Sequence, residues 1–189
     1  MKTVKLWTRN FRLVILASAL GTVGAIAGGF ALAFLVFDET GSTLASALIV
    51  AIQLLPYLLL PVLIAPLMDR LPRKSFLVAG DAANAVLLAG MGMWLLFFDF
   101  SYVGYLAVSL LLACLGAADE LAFTSIYPEL IPEGAEQKGY AVSSMLYPVL
   151  KVIMTPLAAV LLDTLGVAWI LIAQSCFSLA AAVTESFVR

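Results

Sequence analysis

Six long apolar stretches alternate with short polar breaks along the whole chain. The apolar runs cover about residues 12–37, 44–67, 75–98, 102–124, 139–162 and 166–187. Each carries the ~20 residues that an α-helix needs to cross a ~30 Å hydrocarbon core. The breaks hold turn chemistry: DETGS at 38–42, DRLPRK at 69–74, DFS at 99–101, PELIPEGAEQK at 128–138 and DTLG at 163–166. The pattern predicts an all-α integral membrane protein, a single domain of six transmembrane helices over residues 1–189. The opening MKTVKLWTRNFR is basic, as in a secretory signal peptide, but the apolar run behind it extends from about Leu13 to Phe37. That exceeds a ~7–15-residue signal core, and no small-x-small cleavage site precedes a polar segment, so the run is expected to be the first transmembrane helix.

Charge gives the expected orientation. With the N-terminus inside, Lys2, Lys5, Arg9, Arg12, Arg70, Arg73, Lys74, Lys138 and Arg189 all fall on the cytoplasmic side, while the opposite loops carry only Asp38, Glu39, Asp99 and Asp163. The positive-inside rule then places both termini in the cytoplasm of a multi-pass cell-membrane protein. Trp7, Trp94, Tyr102, Tyr127 and Trp169 lie near run ends, where interfacial aromatic anchors are expected. Composition agrees: 63% of residues are hydrophobic and 12% charged, with a mean hydropathy of +1.09, against about 45–50% and 25% in soluble domains. Because the charge is segregated by loop, the net charge of −2 gives no support to nucleic-acid binding. The chain has no histidine, phosphate loop or nucleophile–base pair, so neither an enzyme nor a cofactor is expected. Cys114 and Cys176 sit inside apolar runs and read as buried small hydrophobes.

The segment DRLPRKSFLVA (69–79) aligns with DTLGVAWILIA (163–173), and each follows a run interrupted by proline: Pro56, Pro61 and Pro66 in one, Pro148 and Pro156 in the other. On the charge assignment the two segments lie on opposite membrane sides. Helices 1–3 and 4–6 therefore read as two inverted three-helix repeats, an arrangement frequent in transporters. Small residues Gly24 and Gly28 in helix 1 predict close packing within the bundle, against a neighbour such as helix 5.

The turn between helices 2 and 3 resembles the signature loop of the major facilitator superfamily, G-x-L-a-D-r-x-G-r-k. Leu67, Asp69, Arg70, Arg73 and Lys74 match it, with Ala65 and Pro72 at the glycine positions. FDETGSTLASALIVAIQLLPYLLLPVLIAPLMDRLPRK and YPELIP (127–132) are similar to the first loop through the signature turn, and to the loop after helix 4, of the macrolide-efflux and enterobactin-exporter branch. The resemblance implies one half of a twelve-helix architecture, with the second six-helix half missing, and a small-molecule exporter working by alternating access. It also implies a conformational latch of Asp69, Arg70, Arg73 and Lys74 with Asp119 and Glu120 at the cytoplasmic end of helix 4. Helix 3 would be peripheral, behind that loop. TPLAA (155–159) stands where antiporters of the superfamily carry a G-P-x-x-G-G type motif.

Polar residues inside the runs supply the candidate path. Lys151 lies ~18 Å into helix 5 if that helix starts near Gly139, and an ammonium at that depth must face protein or water. Tyr140, Ser144, Tyr147, Lys151 and Thr155 recur at helical spacing on one face, and Ser46, Gln53 and Tyr57 form a thinner stripe on helix 2. Lys151, Tyr147, Thr155, Gln53 and Tyr57 are the expected substrate path. Asp81, with Asn84 one turn on, is a candidate proton carrier or structural acid, the structural role being a bond to the signature loop or the helix 4–5 region. The expected partners are the bilayer, a small-molecule substrate, and either a second six-helix half or a second copy. The rivals are a truncated, inactive gene product and a six-helix subunit acting through a protein partner.

Overall fold

A computed structural model describes residues 6–68 and 73–188, apart from the side chains of residues 65–68 and 73. Six helices run through them: α1 (Arg9–Thr40), α2 (Thr43–Met68), α3 (Arg73–Phe97), α4 (Tyr102–Leu130), α5 (Glu136–Leu165) and α6 (Val167–Ser186). All six are long and apolar enough to cross a membrane. Asp69, Arg70 and the side chain of Arg73 lie outside the described residues.

Three helices outrun their apolar stretches, because local polar chemistry extends them. At the start of α1 the Thr8 hydroxyl accepts from the Phe11 N–H at 3.2 Å. At its end Gly41, at φ 62°, turns the chain in a left-handed conformation and donates to the Phe37 carbonyl at 2.8 Å. Helix α4 continues past residue 124 to Leu130, since Tyr127 on that last stretch is buried among Phe11, Phe123 and Tyr140, and its hydroxyl donates to the Gly139 carbonyl at 2.6 Å. Helix α5 begins at Glu136, whose carboxylate accepts from the Gly134 N–H at 2.8 Å.

The packing nearly maps onto itself when α1, α2 and α3 are exchanged for α4, α5 and α6. Helix α1 lies on α5 and α6, α4 lies on α2 and α3, and α3 meets α6. Lesser contacts of α1 with α2, and of α5 with α6, break that symmetry. The central faces are built from small residues: Ala17, Gly24, Ala27, Gly28 and Ala31 on α1, Ala113, Ala117, Ala118 and Ala122 on α4, and Ala168, Ser175, Ser178, Ala181 and Ala182 on α6 are all buried. Between lipid-embedded helices van der Waals contact drives association, and small residues let the backbones approach. The glycine seam of α1 receives α6 rather than α5: a Cβ on Gly28 would stand 1.6 Å from Gln174 Oε1, and one on Gly24 3.0 Å from Gln174 Cγ. Helix α5 meets α1 at Met154 and Ala158 instead.

Helices α2 and α5 contribute least to the interior, with 11% of the spanning window buried in each against 28–39% in the others. Helix α3, expected at the periphery, is packed between α4 and α6. Cys114 is half-buried, but Cys176 is exposed on the outer side of α6, because that helix turns Ser175 and Ser178 inward.

Candidate functional site

All six helices line a half-open chamber of about 650 Å³, its wall largely apolar with polar residues set into it. Its charged and aromatic lining comprises Asp81 from α3, Asp119, Glu120 and Phe123 from α4, Glu185 from α6, Tyr57 from α2 and Tyr147 from α5. Asp81 lies ~12 Å from the start of α3 and is 7% exposed. The Ser178 hydroxyl stands 2.9 Å from the Asp81 backbone carbonyl and 3.4 Å from its Oδ1. One turn along the same seam, the Ser175 hydroxyl donates to the Ala85 carbonyl at 2.8 Å, fixing the register of α6 on α3.

Asp119 faces Asp81 across the α3–α4 contact, within hydrogen-bonding reach. The absence of a side chain at Gly80 makes room for it, since a Cβ there would lie 2.8 Å from Asp119 Oδ1. Because α4 continues to Leu130, Asp119 and Glu120 are not at a helix end as expected; Asp119 stands ~16 Å short of it, inside the span. Glu185, in the last turn of α6, is 6% exposed and lines the same chamber. The Tyr57 hydroxyl reaches across to Gly116, where a Cβ would stand 2.5 Å from it.

Tyr57 and Tyr147 thus meet the acids in the chamber, whereas Lys151, Thr155 and Gln53 are not among its lining residues. Lys151 is exposed on α5, its ammonium 5.4 Å from the centre of the Tyr147 ring, and the Thr155 hydroxyl donates to the Lys151 carbonyl at 2.7 Å. The full stripe Tyr140, Ser144, Tyr147, Lys151 and Thr155 shares that exposed face. Of the signature turn, Lys74 is described, and its ammonium donates to the Ser186 carbonyl at 2.8 Å and to the Val188 carbonyl. A cation there satisfies carbonyls that the end of α6 leaves free and opposes the negative end of its dipole.

Sequence reading missed the contribution of α6. Gln174, Ser178 and Glu185 share one helical face, spaced by four and seven residues, and that period was the available signal. A second cavity, of about 310 Å³ between α3 and α4, is lined by Val86, Leu87, Met91, Trp94 and their neighbours and holds no charged residue.

Residues 4–186 match a family of major facilitator proteins described as transmembrane secretion effectors. The chain belongs to this family. It is accordingly a multi-pass membrane protein in contact with lipid, and its family is one of transporters, not of enzymes. No curated protein and no solved structure matches it.

Proposed function

We propose that these six helices form one half of a secondary active exporter that moves a small molecule across the cell membrane by alternating access, with both termini in the cytoplasm. The observation that carries this reading is the chamber: a half-open space of about 650 Å³ to which all six long apolar helices contribute, with acids set in a largely apolar wall. It falls within the ~300–1,000 Å³ usual for small-molecule sites, and charged groups at that depth are costly unless they serve a path or a pairing.

The exposed stripe on α5 supports a second six-helix unit, in the same polypeptide or a separate one. Lys151 lies within a helix long enough to cross the membrane, yet is exposed. Its ammonium needs protein or water against it rather than hydrocarbon. A unit docked on the sparsely buried α2 and α5 would supply that cover and make Lys151, Thr155, Tyr147, Gln53 and Tyr57 walls of a shared path. At the basic end, Asp69, Arg70, Arg73 and Lys74 would act as the latch between the two units. Asp119 and Glu120 would link that latch to the chamber.

The test compares small molecules retained by cells expressing the full-length protein and its Lys151→Met variant at equal membrane levels. At least one compound should be depleted by the wild type and retained with the variant. Profiles identical to those of cells lacking the protein would contradict the reading.

A further inference from the structure

At the Asp99 end of the bundle the seam between α3 and α4 widens into a half-open groove of about 310 Å³ with an almost wholly apolar lining. Met91 and Tyr105, both buried, make its floor, while Val86, 71% exposed, and Trp94 stand at its rim. Gly90 opens it midway, since a Cβ there would meet nothing within 4 Å. The polar atoms of the lining side chains are already engaged by the protein. Trp94 Nε1 donates to the Asp99 carbonyl at 3.2 Å, the Tyr105 hydroxyl donates to the Met91 carbonyl at 3.3 Å, and the Ser101 hydroxyl accepts from the Gly104 N–H at 3.4 Å. What the groove offers a ligand is therefore carbon.

Depth and surroundings select the occupant. From Phe97, the last residue of α3, back to Val86 is ~16 Å along the helix, about half of the ~30 Å hydrocarbon core and so the depth of one leaflet. Both helices are spans of a protein in contact with lipid, and the open side of the groove continues into that contact. Lipid tails are as apolar as leucine, so leaving them for the groove gains little by itself. An unfilled groove, however, forfeits dispersion contacts along its walls. A flexible hydrocarbon chain recovers them where the protein's own side chains leave space. Charge at the mouth narrows the headgroup. The α3–α4 connection carries Asp99 and no basic residue, and the other turns at that end add only Asp38, Glu39 and Asp163. An anionic headgroup would meet like charge there.

We propose that this groove is a binding site for one acyl chain of a phospholipid with a net-neutral, ammonium-bearing headgroup, drawn from the leaflet at the Asp99 end. The chain lies along Gly90 between α3 and α4. The headgroup stands beside Trp94 and Asp99, at the interfacial depth where tryptophan anchors membrane helices. The assignment is independent of the exporter reading, because it requires the bilayer and not transport.

The test is photolabelling of the full-length protein in nanodiscs of equal parts phosphatidylcholine and phosphatidylglycerol, with a trace of either lipid carrying a diazirine midway along one acyl chain. Peptide mapping then reads where each probe lands. The phosphatidylcholine probe should label the groove at least ~fivefold more densely than Trp169 and Phe177, which are exposed on α6 in the same half of the membrane. Gly90→Leu, which fills the groove, should bring the two densities level. Val103→Leu, exposed on α4 outside the groove lining, should leave the enrichment unchanged. Val86→Phe blocks the groove from its rim and carries the test should Gly90→Leu not fold. The phosphatidylglycerol probe should label groove and α6 alike. Equal density of the phosphatidylcholine label at the two places overturns the assignment, whether bulk lipid or another protein surface then covers the groove. Enrichment that survives both Gly90→Leu and Val86→Phe overturns it as well, and equal enrichment of the phosphatidylglycerol probe overturns the headgroup.

Discussion

At the scale of single residues, Lys74 shows how one side chain joins distant parts of the chain. It stands in the first turn of α3, yet its ammonium closes the end of α6 through the Ser186 and Val188 carbonyls. Replacing it with methionine keeps the length and removes the charge. Lys74→Met should loosen the end of α6 by about 1 kcal/mol, read as roughly fivefold faster hydrogen–deuterium exchange over residues 184–188 with the other helices unaffected. Unchanged exchange there would show that the contact contributes nothing. The sequence makes Lys74 legible as part of a basic turn but not as a cap for α6, since that pairing joins residues 112 positions apart. Asp81 and Asp119 are legible as polar groups within apolar runs. Glu185 is not, because it sits where a run ends and an acid is ordinarily solvated; only its burial in the folded bundle sets it apart.

At the scale of elements, the six helices are legible because each apolar run exceeds the membrane thickness, and their true ends are not. The last stretch of α4 carries Tyr127 and Glu129 on a mixed surface with no membrane signature, and it stays helical because Tyr127 is buried. Which helices touch is hidden for a related reason. Lipid-facing and interior positions are both apolar in a membrane, so the period that reveals a buried face in water is nearly silent here. What distinguishes the interior is size, as the alanine and glycine faces of α1 and α4 show. The tightest of these contacts predicts its own repair. Gly28→Ala places a methyl group where Gln174 Oε1 now lies and should destabilise the bundle by about 1–3 kcal/mol. Gly28→Ala combined with Gln174→Ala should recover most of the loss in a thermal unfolding assay. Equal instability of the single and double variants would mean that the α1–α6 seam is not set by this pair.

At the scale of the whole molecule, α2 and α5 are the two least buried helices and α5 carries the exposed polar stripe, while the other four make most of the interior around the acids. The exchange of α1–α3 with α4–α6 gives both halves of that arrangement the same logic, α5 resting on α1 as α2 rests on α4. A bundle built in this way fits a rocking motion against a second unit, with the chamber opening first to one side and then to the other. Ser143, which lines the chamber from α5, is the position at which to watch this. The decisive measurement is the reaction of Ser143→Cys in the full-length protein, with Cys114 and Cys176 replaced by alanine, toward a membrane-impermeant maleimide in vesicles of each orientation that retain a small trapped dye. The account predicts labelling from both sides with the dye retained, because access alternates and no continuous pore forms. Labelling confined to one side under every ion gradient, or labelling from both sides with the dye lost, would contradict it.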